Sequence, residues 1–342
     1  MKNLSKLTAL LSAAAMTLSL AACSGGNAAS TPAPADTSTP TDTAAPSEGA
    51  TYTVGICQLV THDALDAATQ GFMDALNEAL PGQVEFDVQN AAGDSNTCST
   101  IVNSFVADGV DLILANATPA LQAATAATAD IPILGTSVTE YGVALNIQGF
   151  DGTVGGNVSG TSDLAPLDQQ AAMIYELFPD AETVGLIYCS AEANSQYQVD
   201  TVKAELEKLG YTCELYPFAD SNDAAAVTQT ACDASDVIYL PTDNTVASNT
   251  GIVDNICQPA GVPVVAGEEG IVKGCGVATL SISYYDLGVT TGKMAAQILT
   301  GEADISSMPI AYAEDFTPKY NPVICEALGL TMPENYVAID ME

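Results

Sequence analysis

The 342-residue chain has no arginine and no tryptophan, a single histidine (His62), and seven lysines against 42 acidic residues, a formal net charge of −35. Affinity for a phosphate backbone comes from clustered Lys and Arg, so this composition excludes a nucleic-acid partner. It equally disfavours attraction to an anionic lipid surface. One imidazole rules out His-rich zinc sites and two-histidine catalysis. The missing guanidinium removes the bidentate fork for carboxylate or phosphate. Any anionic group must therefore be held by lysine, hydroxyls, side-chain amides or backbone N–H groups. No phosphate loop, dinucleotide fingerprint, calcium loop or Gly-x-Ser-x-Gly elbow occurs. No cofactor, metal or catalytic residue is expected, and the acidity is read as a solvated surface.

What is present is a globular composition, 48% hydrophobic and only 14% charged, with length enough for two cored domains. Residues 1–22 carry Lys2 and Lys6, a short apolar run and small residues, the pattern of an export signal too short for an ordinary spanning helix. The run Leu20-Ala21-Ala22-Cys23 resembles the bacterial lipobox, which implies cleavage before Cys23 and lipidation of its sulfur. The stretch 24–50 lacks any large apolar residue and is expected to be a flexible tether.

From residue 52 onward, short apolar runs alternate with amphipathic segments. Strands are expected at 53–60, 84–89, 111–115 and 131–135, with helices at 64–80, 98–107 and 119–128 between them. After a glycine-rich connection at 148–160 the rhythm restarts: helices at 169–178, 194–209, 223–232 and 245–257 alternate with strands at 183–188, 212–216, 236–240 and 262–266. A strand and helix at 278–301 and a Pro-interrupted tail follow. Such alternation implies right-handed βαβ crossovers, hence parallel sheets in two α/β halves that place their strand C-termini at a shared crevice.

Five segments carry a family resemblance: Val54-Gly-Ile-Cys-Gln-Leu-Val-Thr-His-Asp-Ala-Leu-Asp and onward to Phe72, Asn157-Val-Ser-Gly-Thr-Ser-Asp163, Glu192-Ala-Asn-Ser195, Leu240-Pro-Thr-Asp-Asn-Thr-Val246, and Tyr284-Tyr-Asp-Leu-Gly288. Over residues 52–340 the chain resembles the substrate-binding lipoproteins of ABC transporters, in the branch that binds tryptophan and other aromatic amino acids. The resemblance implies the type I periplasmic-binding architecture: two Rossmann-like lobes with parallel sheets joined by a three-strand hinge. The lobes are expected at 51–163 plus about 284–304 and at 164–283 plus about 305–342, after a signal at 1–22 and a lipidated tether at 23–50. It also implies a monomer anchored on the outer face of the membrane, capturing an amino acid, foremost Trp, Phe or Tyr, for an ABC permease. A branched-chain amino acid or another small neutral solute is the alternative, and a sensory binding lobe a further one. The chain departs from the family pattern at Val138-Thr139-Glu140-Tyr141, where a Val-Thr-Asp-Pro-like turn is expected on the cleft wall.

A zwitterion needs donors for its carboxylate, acceptors for its ammonium and a surface for its side chain. Asn194 and Ser195 open a helix, where the dipole favours a carboxylate. Thr118, Thr136 and Ser137 follow strands of the first half and could face the same group, although turn chemistry would also explain them. Asp243, with Asn244 as helper, is placed as the ammonium partner; the other reading is a helix cap, and the two roles can coexist. Glu268 is a further candidate. His62 stands just before the first helix and Asp66 in its first turn; both could touch the ligand, although the dipole alone would also explain Asp66. Among Tyr141, Tyr188 and Tyr284, which stand near strand ends and could stack on an aromatic ligand, Tyr284 is retained as a site residue. The eight cysteines other than Cys23 show no Cys-x-x-Cys spacing; Cys57 and Cys189 are expected to be free, and bridges among the rest remain open.

Overall fold

The computed structural model describes residues 51–313 and 315–341; the signal segment, Cys23 and the tether lie outside them. The first sheet combines β1 (Tyr52–Gln58), β2 (Val84–Asn90), β3 (Leu112–Asn116), β4 (Ile133–Val138), β5 (Val158–Ser162) and β11 (Ala311–Tyr312) in the order β11-β5-β4-β3-β1-β2, every pair parallel. Helices α1 (Asp63–Ala79), α2 (Ser95–Asp108), α3 (Thr118–Ala127), the short α4 (Tyr141–Ala144) and α11 (Tyr284–Leu299) belong to this lobe. The second sheet runs β13 (Val337–Ala338), β12 (Thr317–Tyr320), β10 (Ala278–Ser281), β9 (Val264–Ala266), β8 (Val237–Leu240), β6 (Thr183–Cys189) and β7 (Thr212–Phe218). It is parallel except where β12 meets β10. Its helices are α5 (Leu167–Leu177), α6 (Ala193–Leu209), α7 (Ser221–Cys232), α8 (Asn244–Ala247), α9 (Thr250–Ala260), α10 (Glu269–Cys275) and α12 (Pro322–Leu328).

Strands such as Leu112–Asn116 and Val237–Leu240 are buried along their whole length, the pattern of a sheet covered by helices on both faces. Several helices begin on side-chain caps. The Asp94 carboxylate accepts from the Thr97 N–H at the start of α2, Asp220 from Asn222 at α7, and the Ser283 hydroxyl from Asp286 at α11.

The chain passes from one sheet to the other three times: after β5, after β10 and after β11. Three sequence expectations are corrected here. The return to the second lobe expected at about residue 305 comes only after Tyr312, because Ile305, Met308 and Ile310 bury against the first lobe and Ala311–Tyr312 pair with Thr161–Ser162. The glycine-rich connection ends in a buried strand, β5. Its polar sequence conceals this: the Thr161 hydroxyl bonds to Thr136 (3.2 Å) and Thr291 (2.8 Å), and Gly160, at φ +145°, lies against Gly135 and the Tyr141 hydroxyl. The helix expected at 245–257 is likewise two helices, α8 and α9.

Helices α1 and α11 pack together within the first lobe, α1 starting just after His62 and α11 at Tyr284, directly after the crossing that follows β10. They meet through glycines: a Cβ on Gly288 would overlap the Ala68 carbonyl, and one on Gly71 the Tyr285 carbonyl. Backbone-to-backbone packing leaves no flexible atom to give way. Gly288→Ala should therefore lower stability by about 1–3 kcal/mol, the usual cost of overpacking, read as an earlier urea midpoint at unchanged m-value. An unaltered midpoint would show that the helices can separate freely.

Candidate ligand-binding site between the lobes

In both sheets the order reverses beside the first strand, giving β3-β1-β2 and β8-β6-β7. At such switch points the helices diverge and leave a crevice beyond the strand C-termini. The residues just past those termini from both lobes surround one nearly closed cavity of about 10 Å³, so a solute larger than water enters only as the lobes part. The first lobe contributes His62, Ala64, Leu65, Ser137 and Thr139; the second contributes Asn194, Thr242, Asp243, Asn244, Ala247 and Glu268. Asp163 and Tyr284 come from two of the crossings.

The lobes are closed over this space by side chains that reach across it. His62 Nε2 lies 3.3 Å from Asn244 Oδ1. The Asn244 amide is oriented because its Nδ2 donates to Glu192 (2.6 Å), so its oxygen must accept and His62 Nε2 carries the proton. Burial holds the imidazole below its ordinary pKa, against the opposing pull of Asn244, Glu192, Asp66 and Asp63. A second bridge runs through Gln198, whose Nε2 donates to Thr242 Oγ1 in its own lobe and to Thr139 Oγ1 (3.4 Å) in the other.

Four carboxylates are buried here: Asp163, Glu192, Asp243 and Glu268. No lysine lines the cavity. Three of the four have both oxygens bound by the protein. Asp243 accepts from the Val246 N–H (2.9 Å) and the Cys189 N–H (2.6 Å). Glu268 accepts from Gly270 and Ile271 (2.6 Å each). Glu192 accepts from the backbone and side chains of Asn244 and Thr245. Burial, with Glu192 adding like charge, raises Asp243 above the carboxylate range, and burial lifts Glu268 to about 7. Asp163 differs. Its Oδ2 accepts from the Tyr284 hydroxyl (2.9 Å), whereas buried Oδ1 completes no hydrogen bond, although the Thr139 hydroxyl stands near the carboxylate. Burial raises its pKa, partly offset by the Tyr284 and Thr139 hydroxyls.

Two more cavity-lining atoms share that condition: Asn194 Oδ1 and Ser137 Oγ. Ser137 also holds a left-handed backbone, φ +54°, which a non-glycine residue adopts at a cost of about 1–3 kcal/mol and which clusters at functional sites. Buried polar atoms are almost always satisfied in native proteins; of the eight unpartnered ones among the described residues, three belong to residues that line this one cavity, which marks it as a place for a polar solute.

Comparisons with known proteins agree with this geometry. The family model for ABC transporter substrate-binding proteins matches residues 53–341. The chain belongs to that family. It is 34% identical over 280 residues to a tyrosine-binding protein of Clostridioides difficile, covering 81% of each chain. It is 35% identical to an ABC domain from Streptococcus pneumoniae solved in complex with L-Trp, at a TM-score of 0.79, covering 83% of this chain and 97% of that one. A ligand-free, open substrate-binding protein with adhesive properties from Clostridium difficile is 38% identical but superposes at 0.65, covering 85% of this chain and all of that one. The lobes here thus stand nearer the arrangement of the tryptophan complex than that of the open form. Members of this family work outside the cytoplasm, and the structure has the type I periplasmic-binding fold.

Of the residues singled out in the sequence, His62, Ser137, Asn194, Asp243, Asn244, Glu268 and Tyr284 line the cavity of this binding protein, while Thr118, Thr136, Ser195 and Asp66 do not. Thr118 is buried at the start of α3, and Thr136 accepts from Thr161 inside the first lobe. Ser195 lies behind Asn194, whose amide donates to it (3.3 Å). Asp66 is exposed and accepts from Gln58 (2.6 Å). Two expected roles also shift. The Asn194 amide hydrogens are taken by the Thr242 carbonyl, Ser195 and Glu192, so its remaining function is that of an acceptor. Asp243 is occupied as a cap. Glu140 does not reach the cavity but caps α4 through Gly142 (3.1 Å) and Val143 (2.5 Å). Tyr141 and Tyr188 are core residues. Sequence reasoning passed over Asp163, Thr139, Thr242, Ala64, Leu65 and Ala247. The signal for Asp163 was its place as the last residue of the resemblance segment Asn157–Asp163, which leads into the first crossing.

A buried acid whose pKa is raised on folding lowers stability as pH climbs from its unfolded to its folded value. For Glu268 that window runs from 4.5 to about 7. The thermal midpoint should therefore fall between pH 5 and 7, and fall less steeply in Glu268→Gln, followed by circular dichroism. Parallel curves for the two proteins would contradict the assignment.

Proposed function

We propose that this protein captures a free aromatic amino acid, tyrosine or tryptophan, between its lobes and hands it to an ABC permease. The observation that carries the reading is the trio of buried, unpartnered cavity atoms. Asp163 Oδ1 and Asn194 Oδ1 are acceptors suited to an ammonium group, and the Ser137 hydroxyl can donate to a carboxylate. A charge-assisted bond from the ammonium to Asp163 is the strong contact, because it neutralises a carboxylate the fold has already desolvated. Tyr284, held by its hydroxyl on the far oxygen of Asp163, is the aromatic ring at the cavity, with Leu65 and Ala64 beside it. The ligands carried by the C. difficile and S. pneumoniae relatives support the aromatic class.

The site is read as binding without conversion: the one imidazole donates to an amide oxygen, not to a nucleophile. Lipidation of Cys23 would keep a monomeric protein at the outer membrane face within reach of its permease, the tether giving it room to turn. Because the ammonium requires Asp163 ionised, affinity should weaken as pH falls through the raised pKa of that group.

Isothermal titration at pH 7 should show binding of L-tyrosine or L-tryptophan. Asp163→Asn should weaken it about 100-fold, the scale of losing one partner of a buried charged pair, with the thermal midpoint of the unliganded protein retained. Failure of both amino acids to bind would remove the aromatic assignment, and unchanged affinity in Asp163→Asn would remove the ammonium role.

A further inference from the structure

The eight described cysteines are buried and free. Two pairs of thiols hydrogen-bond, Cys57 with Cys98 in the first lobe and Cys232 with Cys257 in the second. Cys232, the last residue of α7, and Cys257, in α9, place their sulfurs 3.0 Å apart inside the second lobe. A disulfide requires about 2.05 Å between sulfurs, so an approach of about 1 Å closes the bond. Neither residue lines the amino-acid cavity.

We propose that Cys232 and Cys257 form a disulfide in the exported protein, bracing α7 against α9. The family works outside the cytoplasm, where disulfide-carrying oxidants are available and disulfides persist. The Cys232 thiolate attacks one sulfur of such an oxidant disulfide and expels a thiolate, giving a mixed disulfide. Cys257 then loses its proton and displaces the second oxidant sulfur. Two electrons and two protons leave with the oxidant, which departs as two thiols. Cys232 is the attacking group on two grounds. It is 8% exposed against 1% for Cys257, and the hydrogen bond from Cys257 holds its thiol below the ordinary pKa. The bond spans 25 residues of chain, enough to restrict the unfolded state substantially. It joins helices of one lobe, so oxidation stabilises the platform beneath α8 without hindering opening of the cleft.

The test uses the full chain exported through an oxidising compartment and purified without reductant. It is alkylated under denaturing conditions, digested and mapped by mass spectrometry. The expected result is a cross-linked peptide pair joining Cys232 to Cys257, about 2 Da lighter than the reduced pair, with both residues protected from alkylation until a reductant is added. Reduction should also lower the thermal midpoint of the wild-type protein, and the Cys232→Ser variant should leave Cys257 open to alkylation. Full alkylation of both cysteines without reductant overturns the proposal. So does a bridge from either of them to a different cysteine, such as the neighbouring Cys275, or a bridge confined to Cys57 and Cys98, the thiol pair that hydrogen-bonds in the first lobe.

Discussion

Removing a carboxylate from water costs several kcal/mol unless hydrogen bonds or a counter-charge replace its hydration, and this fold buries four of them around one cavity. It does so in a chain without arginine, at a place no lysine reaches. The protein meets most of that cost with its own backbone. Asp243 and Glu268 lie at helix starts just beyond parallel strands, where unpaired amides and the helix dipole favour negative charge, and Asp243 also accepts from the Cys189 N–H at the end of β6. Glu192 is satisfied by the first turn of α8. Only Asp163 keeps an oxygen unpaired, and it lies at the crossing between the lobes. A cationic group there would complete the electrostatics of the whole cluster.

The two lobes supply this arrangement from equivalent places in their sheets, the loops that follow the strands beside each switch point. The consequence is a site assembled only when the halves meet. His62 on one side and Asn244 on the other bond directly, and Asn244 is held by the same Glu192 that organises the second lobe. Thr139 and Thr242 are linked by Gln198. Lobe closure and completion of the polar network are therefore one event. A ligand bonded to Asp163 and Asn194 would add its binding free energy to that closure.

Much of this was legible in the sequence because parallel strands buried on both faces leave continuous apolar runs, as at Leu112–Asn116, and because the helices carry recognisable caps and apolar stripes. The strand Val158–Ser162 was not legible. Its residues are small and polar, and they are buried only because hydroxyls on β4 and α11 answer them. Nor was the stay of residues 305–312 with the first lobe, which depends on where Ile305, Met308 and Ile310 find apolar cover. Positions around the cavity could be guessed from strand ends, and seven of the chosen residues do line it. Which oxygen atoms are left free could not be guessed. That depends on pairings between distant residues, such as Asp243 with the Cys189 amide, which give both oxygens of that carboxylate a partner within the protein.

The central claim is that the cavity grips an ammonium group through the unpaired oxygen of Asp163. The most direct measurement compares calorimetric titrations of L-tyrosine and L-tryptophan with those of their N-acetyl derivatives, which keep the ring and the carboxylate but lose the positive charge. The account predicts that at least one free amino acid binds and that its acetylated form gives no detectable heat at the same concentrations. Equal affinity for the charged and acetylated forms would contradict it.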